Sequence, residues 1–487
     1  MAVHKSAVCN GEVILATCDV GNALDTLKTI VGTRGWLGFE DAQKYFVDPR
    51  DRMQGYAPLV LMPQSTLHVS EILGFCNSAK LGIVPFGGGT GGVCGHIATR
   101  EQPSIVLSLE RMNSIRSLDI INNSMTVEAG CILKAVQEVA RINDRRFGLS
   151  LASEGSCQIG GNLASNAGGI QVLRYGNTRD LCLGIEAVMP DGSILNDLQT
   201  VRKNNTGYDL RHLLIGSEGT LGVITAAALK LLPLPKESIS AMVSVRSPDS
   251  AVELLHFLGD RLGGTLSAFE LMSYLGVKLA VRYFPAQRDP FSQRYSWYVI
   301  MDIEGREGIR LEVENCLATA FESDLVLDSV IGQSEAQRNQ LWQLRELAYE
   351  YNKLAGAFCS SDTAVPIDQI NTFITRVTAD ILCINSELRI NTYGHIGDGN
   401  IHINVFPPEH VDKADFLKAH PHIQKNTYEC VNEVTQSCGG SISAEHGIGR
   451  MKTADLLAYG DPTKLSLMRA IKQAIDPNGI MNPGAVL

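Results

Sequence analysis

The sequence predicts an α+β protein of more than one unit, and three observations carry that expectation. Residues 59–62 (Leu-Val-Leu-Met), a helical pattern around 69–79 and the apolar run 82–86 read as strand, helix and strand in succession. At 231–235 the run Leu-Leu-Pro-Leu-Pro sets two prolines one residue apart, which ends the preceding strand and stiffens the exit. Beyond it a second α+β region runs from about 238 to 407, and helical patterning takes over from about 409 to the end. At 487 residues the chain exceeds one ordinary core, so two or three domains are expected.

In chain order, residues 1 to about 55 carry helical patterning and read as an N-terminal extension. Short strands are predicted at 105–109, 125–129 and 185–190, and glycine punctuation thickens between 155 and 169. No internal repeat or low-complexity tract interrupts this order.

With 45% apolar and 19% charged residues the composition is that of an ordinary soluble globular chain. The net charge of −10, with no Lys/Arg-rich run to offset it, excludes a nucleic-acid footprint. No stretch approaches the roughly 20 apolar residues of a spanning helix. The opening Met-Ala-Val-His-Lys lacks a secretory core, so a cytoplasmic protein is expected, peripheral to a membrane at most. Twelve cysteines without a Cys-x-x-Cys pair fit buried reduced thiols.

Two glycine-rich segments stand out. Pro85-Phe-Gly-Gly-Gly-Thr-Gly-Gly92 contains a literal G-x-G-x-x-G, yet residues 93–103 have no helical period and include Pro103, so the Rossmann context fails. A glycine run after a strand still offers consecutive backbone N–H groups to a pyrophosphate. The second segment, Gly160-Gly-Asn-Leu-Ala-Ser-Asn-Ala-Gly-Gly169, reads as an equally open loop that lets backbone approach a flat ligand. Either alone is an ordinary tight turn; two together, followed by Gly216-Ser-Glu-Gly-Thr-Leu-Gly-Val-Ile-Thr225, point to a shared ligand.

The last third carries Gly394-His-Ile-Gly-Asp-Gly-Asn-Ile-His402 and Ser443-Ala-Glu-His-Gly-Ile-Gly449. A strand over 401–405 sets Ile401, Ile403 and Val405 on one face and His402 with Asn404 on the other. A second strand over 388–395 ends on His395. With Glu445 as third donor, two imidazoles and one carboxylate make an open divalent-metal site, and His446 is left free to move a proton. The alternative is a pair of surface loops with incidental histidines.

With these motifs in place, the chain resembles the vanillyl-alcohol-oxidase type of FAD flavoproteins, in the branch of D-2-hydroxyglutarate and D-lactate dehydrogenases. The resemblance spans Gly55 to Leu487 and rests on both glycine segments, on Asn-Asn-Thr-Gly-Tyr-Asp-Leu (204–210) running on to Thr225, on both histidine motifs and on Asp-Pro-Asn-Gly-Ile-Met-Asn-Pro-Gly (476–484). It implies an FAD-binding domain of two α/β subdomains (55–235), an antiparallel-sheet cap or substrate domain (236–408) and a helical C-terminal segment (409–487) that returns to the flavin, after an extension at 1–54. It places FAD against Pro85, Gly87, Gly88, Gly89, Thr90, Gly91, Gly92, Ser153, Glu154, Gly155, Gly160, Gly161, Asn162, Ser165, Ala167, Gly168, Glu218, Gly219, Gly222, Ile224 and Asn482. Residues 87–92 carry no histidine, so the FAD is expected to be non-covalent.

The resemblance also implies a divalent cation on His395, His402 and Glu445, with zinc the first choice and manganese or iron accepted by the same donors. Asn404 and His446 match residues that hold the substrate and take its hydroxyl proton, and Arg345 matches a substrate-carboxylate arginine. The implied reaction is oxidation of a small D-2-hydroxy acid, hydride passing to flavin N5 and electrons onward to an electron-transfer flavoprotein or quinone, with a homodimer allowed. The alternatives are an O₂-using oxidase and an electron-transfer subunit of a larger complex. Two positions depart from the glutarate-specific pattern: Ser360 stands where those relatives have Lys, and Tyr349 where they have a small hydroxyl residue. Both leave the substrate's tail open.

Overall fold

The computed structural model describes residues 20–487. The first predicted unit forms as strand Leu59–Leu61, helix Thr66–Ala79 and strand Gly82–Phe86. Ser65 opens the helix by accepting from the His68 amide, and Lys80 closes it in the left-handed region. Strand Ser104–Ser108 lies between the two strands, parallel to both, so the first glycine segment leaves the end of a parallel strand pair. The predicted strands at 125–129 and 185–190 appear as Ser124–Glu128 and Cys182–Val188. They belong to a five-stranded antiparallel sheet whose centre is Val223–Lys230. Leu232–Pro233 pairs with Arg145–Arg146 before the chain enters the next sheet, which is how the proline-rich exit is anchored.

Two expectations are corrected. The N-terminal segment is not wholly helical: after helix Val20–Val31, Trp36–Gly38 pairs antiparallel with Leu59–Leu61 and extends the first sheet. The part of that extension before residue 20 lies outside the described residues. The second glycine segment is not an open loop at its start, because Ile159–Ala164 is helical. Its glycines serve packing there: a Cβ on Gly160 would sit 2.7 Å from that of Ala129.

Past Glu237 an eight-stranded antiparallel sheet is buried on both faces. Alternate residues divide between two cores. Val243, Phe269, Leu271 and Ile303 pack with Leu254, Val313, Phe373 and Val431 from the covering helices Pro248–Leu262, Ile309–Glu322, Ile370–Ile384 and Ile423–Ser437. Met242, Met272, Tyr298, Tyr393 and Phe406 face the opposite way, toward Trp342 and Tyr351. The predicted strands at 388–395 and 401–405 are Arg389–His395 and Asn400–Phe406, paired as a hairpin. Ile401, Ile403 and Val405 enter the first core, as the alternation required.

The C-terminal segment is helical through Pro462–Ile475 and then returns to the first sheet, where Met481 bridges Ile83 and the Asn482 amide donates to the Ile83 carbonyl at 2.7 Å. Lys472 holds the return: its Nζ donates to the Thr220 and Met481 carbonyls at 2.7 and 2.8 Å and to the buried Asp476 at 2.5 Å. No helix among the described residues is long and apolar enough to cross a membrane. Lys472→Ala strands the Asp476 carboxylate without its cation and is expected to cost about 3–5 kcal/mol. A thermal midpoint within about 1 °C of the parent would show the staple to be dispensable.

Candidate active site

The site is assembled by strand register. Glu270 pairs with His395 across strands Leu266–Ser273 and Arg389–His395, and Tyr393 pairs with His402 across the hairpin. Asn404 pairs with Asn391 on one side and with Ser360 on the other. Glu270, Tyr393, His395, His402 and Asn404 therefore share one face of the sheet. Glu270 is fully buried between two cations. Arg345 Nε donates to Glu270 Oε2 at 2.8 Å, and His395 Nδ1 lies 2.8 Å from Oε1, a charge contact off the hydrogen-bonding angle. Burial opposes the Glu270 charge, but His395 and Arg345 hold the carboxyl down at about 2. Arg345 also stacks over the Tyr393 ring at 4.5 Å. Trp342, one turn earlier, fixes that helix to the sheet by donating to Asp302 at 2.7 Å.

His395, His402 and Glu445 present donor atoms that all lie within 4.8 Å of one another. Glu445 Oε2 is 3.9 Å from His395 Nε2, and Oε1 is 3.7 Å from His402 Nε2, so the donors face one another without direct hydrogen bonds. Burial lowers His402 to about 3, the neutral form a metal takes, while burial pushes Glu445 up to about 7 against the pull of His395. His395 is otherwise: burial would lower it, but Glu270 raises it to about 9. His402 Nδ1 lies 3.3 Å from the Ser361 carbonyl and His395 Nδ1 faces Glu270, which turns both Nε2 atoms toward Glu445.

Glu445 and His446 come from a distant loop clamped at both ends. Asp362 accepts from the amides of Glu445 and His446 at 3.1 and 2.8 Å. Glu218 accepts from Ile448 and Gly449, both at 2.8 Å. Asp362 also stands 3.4 Å from His446 Nδ1, leaving Nε2 as the free nitrogen. Burial lowers His446 to about 4 against the attraction of Asp362, so the imidazole is neutral at pH 7.

Glu445 and His446 form one wall of a cavity of about 570 Å³. The rest of its lining takes in nearly all the residues predicted for cofactor contact, from Pro85 and Gly87–Gly92 through Ser153, Gly160–Asn162, Ser165, Ala167 and Gly168 to Glu218, Gly219, Gly222, Ile224 and Asn482. Glu154 and Gly155 lie off the wall. The Glu154 side chain turns toward Lys134 and Gln137 instead. His395, His402, Asn404 and Arg345 sit a layer behind Glu445 and His446 rather than on the cavity wall. Sequence reasoning missed Glu270, which was signalled by a lone carboxylate in the apolar strand Leu266–Ser273. It also missed the clamp role of Asp362 and the lining by His96, Gln158 and Arg50, which carry no local signature.

The FAD binding domain family matches residues 57–197, and the family of FAD linked oxidases, C-terminal domain, matches residues 234–486. The chain is 37% identical to a D-2-hydroxyglutarate dehydrogenase, mitochondrial, of Bos taurus, covering 95% of this chain and 83% of that protein. It is 33% identical to a putative D-lactate dehydrogenase of Schizosaccharomyces pombe, covering 94% and 89%. This chain belongs to the FAD-linked oxidases. It is an FAD-dependent dehydrogenase. In fold, p-cresol methylhydroxylase with substrate bound superposes at a TM-score of 0.71 with 17% identity, covering 96% of both chains, which accords with the α+β class read from the sequence.

The cavity of this flavoprotein fits its cofactor on two observations. Gln158 Oε1, Asn162 Nδ2 and His96 Nε2 are buried on its wall without a partner among the described residues, a polar deficit that a polar ligand satisfies. The first glycine segment also packs too closely for a side chain against the turn that precedes the second: a Cβ on Gly88 would lie 2.2 Å from the Ser156 carbonyl oxygen. Gly88→Ala is expected to push the first glycine segment away from Ser156 and Cys157 and to lower flavin absorbance per purified protein. Full flavin content in a folded variant would show that the close approach is not needed for FAD.

Proposed function

We propose that this flavoprotein oxidises a D-2-hydroxy acid to the 2-oxo acid, assisted by a divalent cation on His395, His402 and Glu445. The observation that carries the reading is the convergence of two imidazoles and a carboxylate beside the neutral His446, where the loop reaches the FAD cavity. The printed names of the relatives, D-2-hydroxyglutarate and D-lactate dehydrogenases, support the substrate class. When bound, FAD supplies the hydride acceptor at N5 and the cation a Lewis acid for the 2-hydroxyl.

The chain supplies orientation and proton transfer. Arg345 has its Nε engaged by Glu270, and its terminal nitrogens have no protein acceptor among the described residues, so they are available to the C1 carboxylate. Asn404 takes a hydrogen bond from Ser360 on Oδ1, at 2.7 Å, while its Nδ2 is buried without a partner among the described residues and can donate to a substrate oxygen. Asp362 holds the His446 Nδ1 proton, and His446 Nε2 accepts the proton of the 2-hydroxyl.

Anaerobic flavin bleaching tests the whole reading. D-2-hydroxy acids are expected to reduce the flavin and their L forms to fail, with the rate lost to chelator and restored by divalent metal. His446→Ala should slow reduction by about 10²- to 10⁴-fold with FAD still bound. His402→Ala and Glu445→Ala should lose bound metal by elemental analysis; undiminished reduction by both, free of metal, sinks the metal assignment. Stoichiometric hydrogen peroxide in air would shift the reading to an oxidase.

A further inference from the structure

Arg50 is the one Lys or Arg side chain on the cavity wall among the described residues. It lies on the loop before strand Leu59–Leu61, and its guanidinium stands 5.2 Å from the centre of the Tyr349 ring. No carboxylate reaches within 4.0 Å of it among the described residues, although Glu346 and Glu350 line the same wall. Its neighbour Arg52 is fully engaged in contrast, with Nε and Nη2 each 2.9 Å from Asp48. A partly buried guanidinium that borders a cavity and has no carboxylate partner among the described residues can pair with an anion that enters it.

The neighbours of Arg50 place that anion at the reacting end. Tyr349, which the Arg50 guanidinium faces, lies four residues past Arg345, and Tyr349 and His446 line the same cavity as Arg50. Arg345 itself covers the Tyr393 ring, at 4.5 Å. Ser360 and Tyr428 are neutral and engaged: Ser360 donates to Asn404, and Tyr428 donates to the Ser360 carbonyl at 3.0 Å. Arg345 is tied to Glu270, whereas Arg50 has no carboxylate partner among the described residues.

We propose that Arg50, braced by Tyr349, binds an acidic group on the tail of the substrate, so that the enzyme selects 2-hydroxy acids with a second carboxylate. The proposal rests on the hydroxy-acid reading above and deepens it. Arg345 serves the carboxylate beside the reacting carbon, and Arg50 serves the far one.

The test is anaerobic flavin reduction of the holoenzyme by D-2-hydroxyglutarate and by its neutral-tailed 5-amide. One charge-assisted contact predicts that the parent enzyme favours the dicarboxylate in apparent Kd by about ten- to hundredfold. Arg50→Gln should collapse that ratio toward one, and Arg50→Lys should restore part of it, with FAD content unchanged in both. Equal affinity for the two acids in the parent enzyme overturns the assignment without recourse to any variant. Equal weakening of both acids by Arg50→Gln overturns it as well, and loss of FAD from that variant would assign Arg50 to the cofactor's phosphates instead. Bleaching by neither acid overturns the hydroxy-acid reading itself, and this proposal with it.

Discussion

The register of the eight-stranded sheet is the constraint on which the rest of the site depends. Because side chains alternate, Glu270, Tyr393, His395, His402 and Asn404 meet only if three neighbouring strands pair as they do. A one-residue slip of strand Asn400–Phe406 would send His402 and Asn404 into the core now filled by Ile401, Ile403 and Val405. Apolar packing on the helix-covered face thereby enforces polar geometry on the other. Glu270 shows the cost of this arrangement, since a buried carboxylate is expensive unless paired. Arg345 and His395 offset that cost and are aligned by it.

A second constraint joins the two halves of the molecule. The Ser443–Gly449 loop has little apolar surface of its own, yet its carboxylate and imidazole must sit where the cavity meets the sheet. Asp362 from the sheet side and Glu218 from the cavity side each accept two of its backbone amides, so the loop is held by charge-assisted hydrogen bonds at both ends. Gly447 and Gly449 adopt positive φ within that turn, and a Cβ on Gly447 would lie 2.7 Å from Glu218 Oε1. Glu218 was expected as a cofactor neighbour; it lines the cavity and also clamps the loop that carries Glu445 and His446.

Much of this was legible in the chain. Alternation over 401–405 placed His402 and Asn404 on one face, and donor chemistry singled out His395 and Glu445, which the fold brings within reach of one another. The glycine segments were legible as ligand-facing because so many small residues have no packing role in an ordinary core. The errors came where local pattern is weakest. Trp36–Gly38 is a strand of three residues, too short to show a period, and Ile159–Ala164 is a helix whose glycines argue against helix locally. Tertiary packing overrode propensity there, because Gly160 must lie against Ala129.

By itself, the sequence determined the longer patterned strands such as Asn400–Phe406, the faces they present and the donor types available for chemistry, since these follow from periodicities of two and 3.6 residues and from side-chain identity. Only the tertiary structure decided that Glu270 stands behind His395, that Asp362 and Glu218 clamp one loop from opposite sides, and that Arg50 borders the cavity without a carboxylate partner among the described residues. Glu218 and Gly449 lie 231 residues apart. Contacts at such separations depend on strand register and loop closure, and no local pattern encodes either.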